Sequence, residues 1–302
     1  MPRVSSSRVN ANRIELAYET FGDAVDPPLL LIMGLGVPRF GWDDRFCRAL
    51  VERGLWVIRF DNRDTGESTH MRGAAPPDLG AALTGDSSSA SYRLEDMADD
   101  TAGLLDALGI ESAHVVGASM GGMIAQTLVI RHPERVRSLT SIMATVGLTV
   151  GPPRQEALEA LLAPPAQTRG EHEQRTVDIS RVIGSPGFSF DEDRLRELAR
   201  STWDAGYDAD GVARQLLAML ASGDRTEALR AVEVPTVVIH GDSDPLLQPE
   251  GGRATAEAIA GTELDVVEGM GHDLPAELYE RFADRIAGLV QRAETGVPTA
   301  AR

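Results

Sequence analysis

The stretch HVVGASMGGMIAQ, residues 114–126, sets Ser119 between Gly117 and Gly121, with an apolar run before it and a helix-forming run after it. With 30 glycines in the chain, a G-x-S-x-G pattern arises by chance about 0.2 times, so its surroundings must carry the reading. His114 to Ala118 reads as a short buried strand, and Met120 to Arg131 as a helix stopped by His132-Pro133. A serine in the sharp turn between them has its hydroxyl lifted clear of the backbone and faces a helix N-terminus, whose dipole favours developing negative charge. Two positions before and two after it, the turning chain approaches its neighbours too closely for a Cβ, which gives both glycines a steric reason. A small residue in a tight turn is the plain alternative.

The composition narrows the chemistry. A chain of 302 residues with 42% apolar content is long enough for one large domain or two. No apolar run approaches the roughly eighteen residues of a membrane span, and the opening MPRVSSSRVN has no hydrophobic signal region, so a cytoplasmic location is expected. A formal charge of −17 argues against nucleic acid or an anionic membrane as the main partner. All 29 basic residues are arginine. Without lysine there is no pyridoxal Schiff base, no P-loop and no Tyr-x-x-x-Lys pair, and VVGASMGG lacks the G-x-G-x-x-G spacing of a dinucleotide turn; no cofactor is expected. The single cysteine, Cys47, excludes an internal disulfide and reads as the buried face of a helix.

Elsewhere, strands are predicted at Arg3 to Asn10, Ile14 to Phe21, Leu29 to Met33, LWVIRF and Val136 to Val146, with helices at Arg45 to Glu52 and from Leu94 to the stop at Gly109. Gly73 to Ser91, rich in small residues, reads as loop with one short helix. The acidic cluster Glu95, Asp96, Asp99 and Asp100 reads as a solvated helix N-terminus in preference to a metal site. Residues 151–228 show helical segments only, after which VPTVVIHGD, a helix, LDVVEG and a closing helix from Ala276 to Arg292 resume the alternation. The expected organisation is a core of residues 1–150 and 229–292, an inserted helical cap at 151–228, and a flexible tail at 293–302. Strands alternating with helices imply a mostly parallel sheet flanked by helices, with the site at the strand C-termini.

The residues just beyond the strand ends are Gly34-Leu35-Gly36 after the Met33 strand, Ser119 after the HVVGA strand, Asp242-Ser243-Asp244-Pro245 after VVIHG, and His272 in GMGHDLP. Ser119, Asp244 and His272 stand at three strand ends in the order of an α/β-hydrolase triad. Asp242 is a rival for the acid, and His272 has the dull alternative of starting the next helix. His114 and His240 read as structural, and His70, His132 and His172 as exposed; none has metal-ligand spacing to another histidine, so no metal is expected.

Through LLIMGLG, RFDNRDTGEST, EDMADD, HVVGASMGGMIAQ, PTVVIHGDSDPL and GMGHDLP, the chain resembles the α/β-hydrolase superfamily, and within it bacterial esterases of the aclacinomycin methylesterase type and actinobacterial Lip-type lipases and esterases. The resemblance spans residues 29 to 275. It implies Ser119 as nucleophile, His272 as base, Asp244 as the acid that orients it, and the backbone N–H groups of Leu35 and Met120 as oxyanion donors. Met33-Gly34 departs from the His-Gly of many relatives, which bears on pocket shape more than on catalysis. The expected function is hydrolysis of small to medium apolar carboxylic esters through an acyl-enzyme. Carbon–carbon bond hydrolysis, cofactor-free peracid formation, and a receptor that binds without turnover are the alternatives. Met33, Met120, Met123 and Met270 suit either pliable pocket walls or core packing.

Overall fold

The computed structural model describes residues 7–296. Eight strands form one sheet: β1 (Ser7–Ala11), β2 (Ile14–Phe21), β3 (Pro28–Ile32), β4 (Trp56–Phe60), β5 (Ala113–Ala118), β6 (Val136–Ile142), β7 (Thr236–Gly241) and β8 (Glu263–Val267), in the order β1-β2-β4-β3-β5-β6-β7-β8. β2 pairs antiparallel with both of its neighbours, and the pairings from β4 through β8 are parallel. A sheet covered on both faces needs apolar side chains on both, which is why β3, β5 and β7 read as nearly continuous apolar runs. In β3, Leu29 and Leu31 enter one core while Leu30 and Ile32 enter the other.

The first of these cores packs α1 (Asp44–Val51) and α11 (Tyr279–Thr295) against the sheet. The second packs α3 (Leu94–Ala107), α4 (Met120–Arg131) and α10 (Pro249–Ala258) on the opposite face. A short helix, α2 (Leu79–Leu83), lies in the small-residue loop. Cys47 is fully buried on α1 beside Leu50 and Phe46, and burial pushes its thiol up to about 12. The four methionines near the strand ends are all core residues: Met120 and Met123 belong to one core, Met33 and Met270 to the other.

Of the strand expected from Arg3 to Asn10, the described part is β1, and Arg3 to Ser6 lie outside the described residues. The ends of β6 and of the closing helix differ from the sequence expectation. β6 stops at Ile142 because Met143 turns out of the β region at a φ of 40°. The closing helix starts at Tyr279 after a 3-10 turn and runs three residues beyond Arg292, held there by Glu294, whose carboxylate meets His114 Nε2 and Arg137, each at 3.1 Å. Gly296, at a φ of 66°, ends it; residues 297–302 of the expected tail lie outside the described residues.

Between β6 and β7 the chain forms α5 (Gln155–Leu162), α6 (Arg169–Ile183), α7 (Glu192–Asp204), α8 (Ala209–Ala221) and α9 (Thr226–Leu229). This block is anchored by buried charge. Arg214 on α8 forms a bidentate pair with Asp64, 2.9 and 2.8 Å, whose carboxylate also accepts the hydroxyl of Tyr92 and the N–H of Met71. Arg225 is 7% exposed, donates to the Thr145 carbonyl at 2.8 Å, and is brought down to about 10 by burial. The charged stretch RFDNRDTGEST is therefore largely a buried framework. Replacing Arg214 with alanine leaves the buried Asp64 carboxyl group without its bidentate partner, and about 3–5 kcal/mol of unfolding free energy is expected to be lost. Urea denaturation checks this; a loss below about 1 kcal/mol would mean that the pair contributes only as a surface ion pair does.

The histidines and acidic cluster are also sorted by burial. His172 is buried against Trp203 and Tyr207, with ring centroids 5.9 and 4.2 Å away, and is not exposed as its sequence context suggested. Asp100 is not solvated: Arg63 grips both its oxygens at 2.6 Å. His114, His172 and His240 are all held below their ordinary value, chiefly by burial. An imidazole depressed in the folded state binds its proton first in the unfolded state. Their contribution is therefore present above the unfolded value near 6.5 and is lost as pH falls, by up to about 1.4 kcal/mol per pH unit for each. Urea midpoints are expected to drop between pH 7.5 and 6.0; an unchanged or higher midpoint at pH 6.0 would mean that these rings are protonated in the fold.

Candidate active site

The turn at Ser119 is as tight as its glycines suggest. Ser119 sits at φ 56°, ψ −123°, a strained conformation for a residue with a side chain, and is held there by its N–H to the Ile142 carbonyl at 2.9 Å. A Cβ on Gly117 would stand 2.1 Å from the Gly121 carbonyl oxygen, and one on Gly121 would stand 2.1 Å from that of Ile32. α4 can begin directly at Met120 only because neither residue has a side chain.

Asp244 and His272 converge on this turn from two other strand ends. Asp244 Oδ2 lies 2.7 Å from His272 Nδ1, and His272 Nε2 lies 2.9 Å from Ser119 Oγ. Asp244 is 1% exposed; its Oδ1 accepts the N–H groups of Leu246 and Leu247, both at 2.9 Å. Burial opposes its ionisation most strongly, but the charge and hydrogen bond of His272, with His240 and the Leu247 N–H, outweigh it and hold the carboxyl below its usual value. The rival, Asp242, is directed elsewhere: its Oδ1 accepts the Gly269 N–H and the Ser243 hydroxyl, each at 2.8 Å. Asp242 thus shapes the β7 turn, and Asp244 is the carboxylate at the imidazole.

The loop after β3 passes beside Ser119. A Cβ on Gly34 would lie 3.2 Å from that of Ser119. The flanking N–H groups of Gly36 and Val37 are bonded to Gln215 Oε1 and the Gly34 carbonyl, whereas that of Leu35 has no acceptor among the described residues. The N–H of Met120, first in α4, is one of those a helix leaves without an internal partner.

Two residues of the RFDNRDTGEST motif and one outside every motif hold this loop in place. Asn62 donates to the Met33 carbonyl at 2.9 Å, Asp61 accepts the Arg39 N–H at 2.6 Å, and Gln215 reaches it from α8. Gln215 carries no pattern that could have singled it out, because its role arises from a contact between residues 179 positions apart.

Two other features lie away from this constellation. Asp64, His70 and Asp208 bring candidate ligand atoms within 4.8 Å of one another, but the guanidinium of Arg214 bonds both carboxylates and supplies the positive charge there. A cleft of about 530 Å³, lined by Arg154, Phe188, Phe190 and Ser243 among others, opens near the Asp244 turn without touching Ser119 or His272. It is not the chamber in which the serine would react.

A parallel sheet whose strand ends bring together a strained serine turn, a histidine and a carboxylate defines the α/β-hydrolase class of architecture. A model of the alpha/beta hydrolase fold matches residues 27–277, and the chain belongs to that family. It is 30% identical over 307 residues to rhodomycin D methylesterase from Streptomyces peucetius, covering 94% of this chain and 98% of that protein. It is 32% identical over 232 residues to a 2-hydroxymuconate semialdehyde hydrolase from Pseudomonas sp. (strain CF600), covering 73% and 76%. The crystal structure of an enol-lactonase from Burkholderia xenovorans LB400 superposes with a TM-score of 0.74 at 22% identity over 94% of this chain and all of that one, a likeness of fold. Among the described residues no helix is long and apolar enough to cross a membrane.

Proposed function

We propose that this protein is a serine carboxylic ester hydrolase, with Ser119 as nucleophile, His272 as general base and Asp244 as the acid that orients it. The observation that carries the reading is the unbroken hydrogen-bonded chain from Asp244 through His272 to Ser119. His272 Nε2 takes the Ser119 proton as Oγ attacks the ester carbonyl, while Asp244 keeps the other ring nitrogen protonated and balances the imidazolium. The tetrahedral oxyanion is received by the N–H groups of Leu35 and Met120, at the start of α4 where the helix dipole is favourable. Collapse expels the alcohol with the proton from His272, and water, activated by the same base, releases the acid.

The relative named as a methylesterase over nearly its whole length supports an ester as substrate. The partly buried Leu35, Val37 and Leu274, on the loops around the three residues, favour an apolar acyl or alcohol group. The helical block from α5 to α9 serves as a cap, since α8 meets the loop after β3: a Cβ on Gly36 would stand 2.8 Å from Val212.

Burst kinetics with p-nitrophenyl esters of graded acyl length test the proposal, with one equivalent of nitrophenol expected in the burst. Absence of turnover on any ester, thioester or lactone would favour a binding protein instead. A second reading, carbon–carbon bond hydrolysis by the same residues, is favoured by the similarity to the semialdehyde hydrolase. Preference for a vinylogous diketone over every ester would establish it.

A further inference from the structure

The loop that carries His272 is fastened to the helical block. Two glycine-bounded segments interlock: GSPG, residues 184–187 at the end of α6, and GMG, residues 269–271 before the histidine. The Gly187 N–H donates to the Gly269 carbonyl at 2.9 Å, the Gly271 N–H to Ser185 Oγ at 2.8 Å, and the His272 N–H to the Ile183 carbonyl at 2.7 Å. The Ser185 hydroxyl in turn donates to Asp273 Oδ1. The two backbones are in such close contact that a Cβ on Gly271 would stand 2.2 Å from the Gly184 oxygen, and one on Gly187 would stand 2.8 Å from the Gly269 Cα. The loop at 268–275 has no helix or strand of its own to hold it.

We infer that Ser185, a residue of the helical block, is a positioning residue for His272: bridging the Gly271 N–H and the Asp273 carboxylate, it fixes the backbone on either side of the base. This rests on the reading of Ser119, His272 and Asp244 as a triad. Asp244 orients the ring through Nδ1, but the loop backbone sets where the ring stands. The 2.9 Å contact between Nε2 and Ser119 Oγ does not survive a displacement of about 1 Å, which in an active site costs on the order of 10²-fold in rate. Loss of the Ser185 hydroxyl leaves the Gly271 N–H and the Asp273 carboxylate without their shared partner, and the loop relaxes to find others. The end of α6 therefore moves with the base.

The test compares Ser185→Ala, Ser185→Val and Ser185→Thr in the full-length protein, with a p-nitrophenyl ester and a fluorophosphonate. Ala and Val are expected to lower kcat about ten- to a hundredfold with KM within about twofold, and to slow labelling of Ser119 by the same factor. Thr, which keeps the hydroxyl, is expected to restore most of both. The far-downfield proton resonance of His272 Nδ1–H is expected to broaden in Ala and Val and to persist in Thr. Folded Ala and Val variants with kcat and labelling within about twofold of the parent would overturn the inference, as would equal losses in all three. So would Ala and Val variants that fail to fold, because the hydroxyl would then serve stability. Failure of the triad reading looks different: the parent protein itself would not be labelled at Ser119.

Discussion

Ser119→Ala is expected to lower kcat for p-nitrophenyl esters by roughly four to six orders of magnitude, because nucleophile and base act as one unit and removing either removes covalent catalysis altogether. The fold has little reason to suffer. Ser119 adopts φ 56° on account of its neighbours' packing and of the bond from its N–H to Ile142, and an alanine retains that N–H. What is lost is the oxygen 2.9 Å from His272 Nε2, with no other hydroxyl among the described residues bonded to that nitrogen to replace it. A fluorophosphonate is expected to label Ser119 alone in the parent protein and no residue in the mutant. Retained turnover, or labelling at a different serine, would remove Ser119 from the mechanism.

The second large effect separates two carboxylates that stand two residues apart. Asp244→Asn is expected to lower kcat on the order of 10⁴-fold, the loss known for Ser-His-Asp enzymes, since an amide at this position leaves the imidazole in the wrong tautomer and cannot balance its charge. Asp244 spends one oxygen on His272 and the other on two turn N–H groups. Its folded value lies below the ordinary carboxylate range, so its stabilising contribution is present above the unfolded value and is lost as pH falls through the folded one. The matching Asp242→Asn change weakens the acceptor for the Gly269 N–H at an exposed turn, and a few-fold loss of activity at most is expected. Equal and large losses in both variants would mean that the turn acts as a unit, and a loss confined to Asp242→Asn would reverse the assignment.

Much of this molecule was legible along the chain, and the reason is local. A strand covered on both faces is apolar at most of its positions, so β3, β5 and β7 announce themselves as runs. A chain that turns within hydrogen-bonding distance of its neighbours must drop its side chains, so Gly117 and Gly121 mark the serine turn without reference to anything distant. The bounds of β2 and α4 come from alternation and from His132-Pro133. The placement of the strand-end residues was legible for the same reason, because in a parallel sheet the topology alone carries Ser119, Asp244 and His272 to one edge.

The sequence by itself therefore determined the α/β architecture, the order of the three polar residues and the absence of any lysine chemistry. Tertiary structure alone decided which of Asp242 and Asp244 faces His272, that Asp64, Asp100 and Arg214 are buried framework, and that four methionines are core. It also decided that the helical block, separable by its periodicity, grips the His272 loop through Ser185 and the loop after β3 through Gln215. These are contacts between residues from 86 to 179 positions apart, fixed by packing and hydrogen-bond satisfaction once the sheet has formed. A charge or an amide looks the same in sequence whether it faces water or a buried partner, and only the folded chain supplies the partner.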